Sequence, residues 1–153
     1  MVYVRSRWLG EQLIFASHTR HCVLRIAGVF GRDGPMHLAI NKAIQDAAKG
    51  KAPKLMGYGG AVLNYVYVND VAQAIVYSPR AGLDGIHLLS GQKILSIADM
   101  LRSICDGFLP RLHPISKEGP EATDQIVEPS CQLTVTRRFW QALTDIRKSG
   151  SGS

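Results

Sequence analysis

The sequence predicts an α/β fold, and three observations carry that reading. Runs at 22–26, 64–68 and 86–89 are rich in β-branched, aromatic and other large apolar residues and have the length of buried strands. The segments between them repeat apolar residues at helical spacing. Glycine, proline and capping residues punctuate each change from one pattern to the other. Strands alternating with helices, with no internal repeat, place the chain among α/β proteins.

Taken in order, residues 7–16 read as a helix with Leu9, Leu13 and Ala16 at helical spacing. Residues 18–21 are a polar break before the strand at 22–26. A glycine-rich loop covers 27–35, and Ile40, Ala43, Ile44 and Ala47 then mark an amphipathic helix that Gly50 should end. Residues 54–56 read as a short strand, Gly57, Gly59 and Gly60 as a turn, and 64–68 as a strand. Asn69 or Asp70 is placed to cap the next helix, with Val71, Ala74 and Ile75 facing inward and Pro79 at its close. Gly85 precedes the strand at 86–89. Ser96 and Asp99 resemble a capping box, ahead of a helix that buries Ile97, Met100, Leu101, Ile104 and Cys105 and stops at Gly107. Pro110, Pro114, Pro120 and Pro129 make 110–135 loop-rich, and a last helix is expected over 137–148. Residues 149–153 have the composition of a flexible tail, which leaves 1–148 as one domain.

A chain of 153 residues is long enough for a real core, and 46% hydrophobic with 20% charged residues is ordinary globular composition. No apolar run approaches the roughly 18 residues of a membrane span, and no apolar stretch follows Arg5 and Arg7 as a signal peptide requires. Cys22, Cys105 and Cys131 form no CxxC pair, which predicts free thiols in a reducing compartment, the cytoplasm. The net charge is +6, but the cations are scattered and lack interleaved aromatics. They read as solvated helix ends and loops rather than a nucleic-acid surface. His18, His21, His37, His87 and His113 show no metal-ligand spacing.

The first residues that point to chemistry are Tyr3 and Arg7. If this segment is helical, the two share one face, with Cβ atoms about 5–6 Å apart. A fixed cation beside a phenol favours the phenolate, which suits the pair to proton transfer.

Four segments, in order, resemble one family. They are Tyr3-x-x-Ser6-Arg7-x-x-Gly10-Glu11, then residues 24–31 (LRIAGVFG), residues 64–72 (NYVYVNDVA), and Gly85-Ile86-His87-Leu88 with the Ser96-capped helix. Together they are similar to the extended short-chain dehydrogenase/reductase family, also called the NAD-dependent epimerase/dehydratase family. The resemblance covers residues 3 to about 106. It implies the C-terminal part of a Rossmann-like parallel sheet plus the smaller substrate-binding α/β region. The family's N-terminal glycine-rich βαβ unit, whose turn lets the backbone approach a pyrophosphate, has no counterpart here. No strand–turn–helix precedes Tyr3, and the cluster at 57–60 opens into a strand, so a truncated chain is expected.

The resemblance also implies a function. The cofactor is NAD or NADP, and the reaction is that of an epimerase, dehydratase or oxidoreductase acting on a hydroxyl or carbonyl substrate. Tyr3 is then the general acid/base, with Arg7 beside it, and both touch the cofactor. Arg7 stands where the family has lysine, and its planar fork is bulkier than an ammonium. Ile26, Gly28 and Val29 border the nicotinamide. Gly28, Leu63 and Asn64 face a small-molecule substrate, a sugar or nucleotide-sugar derivative. Many members carry proline at Ile26 and asparagine at Gly28. Nucleotide-sugar epimerases often carry arginine then aspartate at Leu63 and Asn64, and leucine cannot make an arginine's bidentate bonds to a diphosphate. A homodimer through the helix at 7–16 is implied, with Trp8 and Phe15 at that interface or covering other apolar surface. The departures at Arg7 and at the glycine-rich turn keep an alternative open: a non-catalytic module that binds a metabolite or a protein.

Overall fold

The computed structural model describes residues 2–150. The chain runs α1 (Val2–Ala16), β1 (Cys22–Ile26), β2 (Val29–Phe30), α2 (Ala39–Ala48), β3 (Lys54–Met56), β4 (Val62–Leu63), β5 (Val66–Tyr67), α3 (Val68–Arg80), β6 (Gly85–Leu89), β7 (Leu95–Ser96), α4 (Ile97–Phe108), β8 (Ile115–Lys117) and α5 (Phe139–Gly150). The strands pair two by two. β1 runs parallel to β6 with Cys22 opposite Gly85 and Ile26 opposite Leu89. β2 is parallel to β5, β3 is parallel to β8, and β4 is antiparallel to β7. Parallel pairing between strands far apart in sequence requires crossover connections, which α2 and α3 help to supply.

Two apolar clusters hold these elements. The larger joins α2, α4 and α5 to the β2–β5 pair, with Ile40, Ile44, Ile104, Leu143, Ile146 and Phe30 nearly free of solvent. These side chains recur every three or four residues along their helices, so each helix presents one apolar face inward. The smaller cluster packs Val71 and Ala74 of α3 against Leu89 of β6 and Val66 of β5, closed by Leu133 and Val135. Ser96 caps α4 as its spacing predicts: its Oγ accepts from the Asp99 N–H at 3.0 Å and donates to Asp99 Oδ2 at 2.8 Å.

Several expectations need correction. Neither Asn69 nor Asp70 caps α3; the helix begins at Val68 with Tyr67 at its N-cap and no side-chain cap bond. Asp70 instead lies in the first turn and pairs with Arg137, a partner 67 residues away that no local signal announces. Ile75 faces solvent, because the inward face is set by Val71, Ala74 and Ser78. Helix α4 continues past Gly107 to Phe108, and the last helix starts at Phe139 and includes Ser149 and Gly150. Residues 151–153 of the expected tail lie outside the described residues. The loop-rich 110–135 segment is tied down: it contributes β8, and Gln125 bridges to Leu63.

Helix α1 is unlike the others, since none of its described residues is buried. Trp8, Leu9 and Leu13 are 60%, 54% and 65% exposed. Among the described residues no helix is long and apolar enough to cross a membrane. All three cysteines are free, with Cys105 buried, Cys22 half-buried and Cys131 exposed.

Candidate active site

The first expected site residues lie on α1. Tyr3 is exposed, and the Arg7 guanidinium lies over its ring at 5.1 Å from the centroid, within cation–π range. Helical spacing brings them together, and among the described residues no hydrogen bond or ion pair ties either side chain to another element. What anchors α1 is one turn further along. Arg25 of β1 forks onto Glu11, with Nε donating to Oε1 at 3.1 Å and Nη2 to Oε2 at 2.6 Å. Phe15 meets His21 edge-on at 4.9 Å between centroids.

The Glu11–Arg25 pair makes the seat of α1 pH-dependent. The hydrogen bonds from Arg25 hold the Glu11 carboxyl below the usual glutamate range, against a smaller opposing effect of desolvation. A depressed carboxyl contributes stability above its unfolded pKa and loses it as pH falls through the folded value. The contact should therefore persist at neutral pH and release in acid, below the ordinary range for glutamate. Amide exchange along residues 2–16 checks this: protection in α1 should fall in acid before that in α4, and Glu11→Gln should remove the pH dependence.

The second group gathers where parallel strands end. The Ala27 N–H donates to the Leu89 carbonyl and the Val66 N–H to the Gly28 carbonyl, both at 2.9 Å. This fastens the carboxyl ends of β1 and β6 and the start of β5 around residues 27–28. Crevices at the carboxyl ends of parallel strands are where α/β proteins bind ligands. Gly28 is needed here because a Cβ would run into the Tyr65 ring. Gly91 is needed for the same reason, as its Cβ would strike the Tyr65 carbonyl oxygen. Tyr65 is thus held between two strand-end glycines, and burial pushes its phenol above the usual range. Ile26 ends β1 half in solvent, and Val29 pairs with Val66.

Leu63 is buried in the wall of the pocket that Tyr65 also lines. Asn64 is buried and its amide is fully engaged. Its Nδ2 donates to Ser90 Oγ at 3.1 Å and the Val127 carbonyl at 2.7 Å, and its Oδ1 accepts from the Val127 N–H at 3.0 Å. It therefore clips the 125–128 segment to β6. No hydrogen bond, ion pair or ring contact among the described residues joins Tyr3 or Arg7 to this second group.

Sequence reasoning missed three residues that shape the region. Asn41 sits on the apolar face of α2, accepts from the Gly31 N–H at 3.1 Å and donates to the Val29 and Pro35 carbonyls, so it fixes β2 and the loop after it. A lone amide among Ile40, Ala43 and Ile44 was its available signal. Tyr65 had none beyond its place in a strand. Arg137 joins Asp70 at 2.9 Å and also bonds Asp145, with its guanidinium 5.4 Å from the Tyr67 ring centroid.

Comparison with known proteins agrees on the fold. The chain superposes on UDP-glucose 4-epimerase of Thermus thermophilus in complex with NAD with a TM-score of 0.76 at 18% identity, over 97% of this chain and 51% of that one. For UDP-glucose 4-epimerase of Thermotoga maritima with UDP-glucose the TM-score is 0.75 at 16% identity, over 95% and 50%. For RMD of Pseudomonas aeruginosa with NADPH it is 0.74 at 14% identity, over 91% and 51%. The chain thus spans about half the length of the solved structures it matches. No curated protein matches it significantly. The model of the NAD dependent epimerase/dehydratase family matches residues 2–88, which take in the Tyr3–Arg7 pair, the strand-end loop and Leu63–Asn64. With more than half of its residues matched and its parallel α/β fold shared with these enzymes, the chain belongs to the NAD dependent epimerase/dehydratase family.

Proposed function

We propose that this chain takes part in NAD(P)-dependent epimerisation, dehydration or oxidoreduction, with Tyr3 as general acid/base on a substrate hydroxyl or carbonyl. The observation that carries the reading is a family match that contains Tyr3 and Arg7 on one helix face, with cation and phenol in contact. When bound, the nicotinamide supplies the hydride acceptor. The residues present fit that end of the cofactor. Arg7 is exposed and has no carboxylate partner among the described residues, which suits a hydroxyl-bearing or anionic group. The loop at Ile26, Gly28 and Val29 offers backbone at the strand ends. No glycine-rich strand–turn–helix is present among the described residues to hold a pyrophosphate.

Tyr3 would move the proton at its phenol oxygen, with the Arg7 guanidinium beside its ring. Leu63 would form an apolar wall on the substrate side, and Asn64 would shape that wall through the segment it clips. The substrate class is a sugar or nucleotide-sugar derivative, by likeness to neighbours that carry such ligands. The apolar surface of α1, with Trp8 exposed, supports a homodimer through that helix. The free cysteines support a cytoplasmic location. A second reading, a non-catalytic metabolite-binding module, is favoured by one observation: Arg7 stacks on the Tyr3 ring where the family's lysine would stand.

Titration with NADH and NADPH, followed by nicotinamide fluorescence, separates the two readings. Saturable micromolar binding is expected of the first. A chain that is folded by circular dichroism and binds neither cofactor would overturn it in favour of the second.

A further inference from the structure

The last turns of α2, α4 and α5 come together around a cavity of about 500 Å³. That lies within the roughly 300–1,000 Å³ of small-molecule sites. Its floor is apolar and continuous with the larger core. Ile44, Ala47 and Ile146 belong to that cluster, and Phe108 and Leu109 pack against it half-buried. Its rim is charged, with Arg32, Lys49 and Arg147 set against one carboxylate, Asp33. None of the residues assigned above to proton transfer, cofactor or substrate lines it, and it shares no wall with the pocket that holds Leu63 and Tyr65.

The fold holds two of these cations in place. Arg32 Nη1 donates to the Ser149 carbonyl, and Arg147 Nη1 donates to the Gly107 carbonyl at 2.9 Å. Both carbonyls lie in the last turn of a helix, where partial negative charge gathers and a cation is favoured. The guanidinium groups therefore offset the helix ends and are oriented before any ligand arrives. Arg32 has no carboxylate partner among the described residues, and neither has Lys49, the exposed C-cap of α2.

Cations gathered beside apolar surface are matched by one ligand chemistry: an anionic head joined to an apolar chain. A small inorganic anion leaves the floor wet, and a neutral apolar molecule leaves the rim unanswered. The planar fork of Arg32 and the point charge of Lys49 suit the oxygens of a carboxylate. We propose that the cavity between the C-terminal ends of α2, α4 and α5 binds a medium-chain carboxylate, with Arg32 and Lys49 on the head group and Phe108 and Leu109 against the chain.

Calorimetric titration of the full chain with butanoate, hexanoate, octanoate and octylammonium tests this. Affinity should rise by up to roughly fourfold for each methylene buried, with octanoate tightest, and octylammonium should not bind. Lys49→Gln and Arg32→Gln should each weaken octanoate by roughly tenfold. Arg32 also ties down α5, so its variant is read beside a melting curve. Lys49→Gln removes no hydrogen bond or ion pair given by this side chain among the described residues, so it carries the test if the Arg32 variant unfolds. Ala48→Phe should abolish binding by filling the cavity mouth, with the rim charges intact. Helix α1 also carries exposed apolar side chains beside Arg5 and Arg7, so Leu13→Gln is the control and should change nothing. Affinity independent of chain length, octylammonium binding as tightly as octanoate, unchanged binding in Lys49→Gln and Ala48→Phe, or a loss in Leu13→Gln would overturn the proposal. Vesicles of anionic phospholipid separate the two sources of such a ligand. Binding to vesicles without uptake of free octanoate would overturn the site in favour of a membrane surface.

Discussion

Replacing Tyr3 by phenylalanine should cut turnover by about 10²–10⁴-fold, the usual worth of a positioned acid or base. The fold should not change. Tyr3 is 68% exposed, and among the described residues its phenol oxygen makes no hydrogen bond. The assay is the change in nicotinamide absorbance on adding a nucleotide sugar to a preparation that binds the cofactor, alongside circular dichroism. Loss of turnover with intact dichroism and intact cofactor binding assigns Tyr3 to the chemical step. Full turnover in the phenylalanine variant would remove Tyr3 from the mechanism. Arg7→Lys is the companion variant: if the planar fork misplaces the cation, lysine should raise the rate and leave stability unchanged.

Arg137→Ala should destabilise the chain by about 2 kcal/mol, between the 0–1 of exposed ion pairs and the 3–5 of broken buried ones. The position between those limits follows from exposure: the side chains of Asp70, Arg137 and Asp145 are 9%, 27% and 41% exposed. Without Arg137, the Asp70 carboxylate remains almost buried at the start of α3 with no cation to meet it. For a chain of this size the melting temperature should fall by roughly 4–8 °C. A double-mutant cycle with Asp70→Ala gives the coupling directly. Additive losses would mean that Arg137 acts through packing on Tyr67 rather than through the ion pair.

Local chemistry was legible wherever its cause lay within a few residues. The periodic Ile40, Ala43, Ile44 and Ala47 read as one helix face, and all four are buried. Ser96 and Asp99 read as a capping pair three residues apart, and the Ser96 Oγ does cap α4 by accepting from the Asp99 N–H. Tyr3 and Arg7 read as neighbours on a helix, and the cation lies over the ring. Where the cause was distant, the same reasoning failed. Asp70 looks like a cap until Arg137 takes its carboxylate, and Ile75 looks buried until the packing of Val71, Ala74 and Ser78 sets the angle of α3. The partners of the Asn64 amide, Val127 and Ser90, likewise lie 26 to 63 residues away, beyond any local pattern.

The sequence by itself determined the alternation of strand and helix, the faces of α2 and α4, the family, and the placement of Tyr3 and Arg7 on one face of α1. Each depends on spacing along one element, which a linear pattern records. Only the tertiary structure decided that Tyr65 is clamped between Gly28 and Gly91, that Asn64 and Arg137 tie down distant segments, and that Arg32, Lys49 and Phe108 line one cavity. Those arrangements join residues tens of positions apart. Their energy comes from burial and from paired charges across elements, and no periodicity in the chain encodes it.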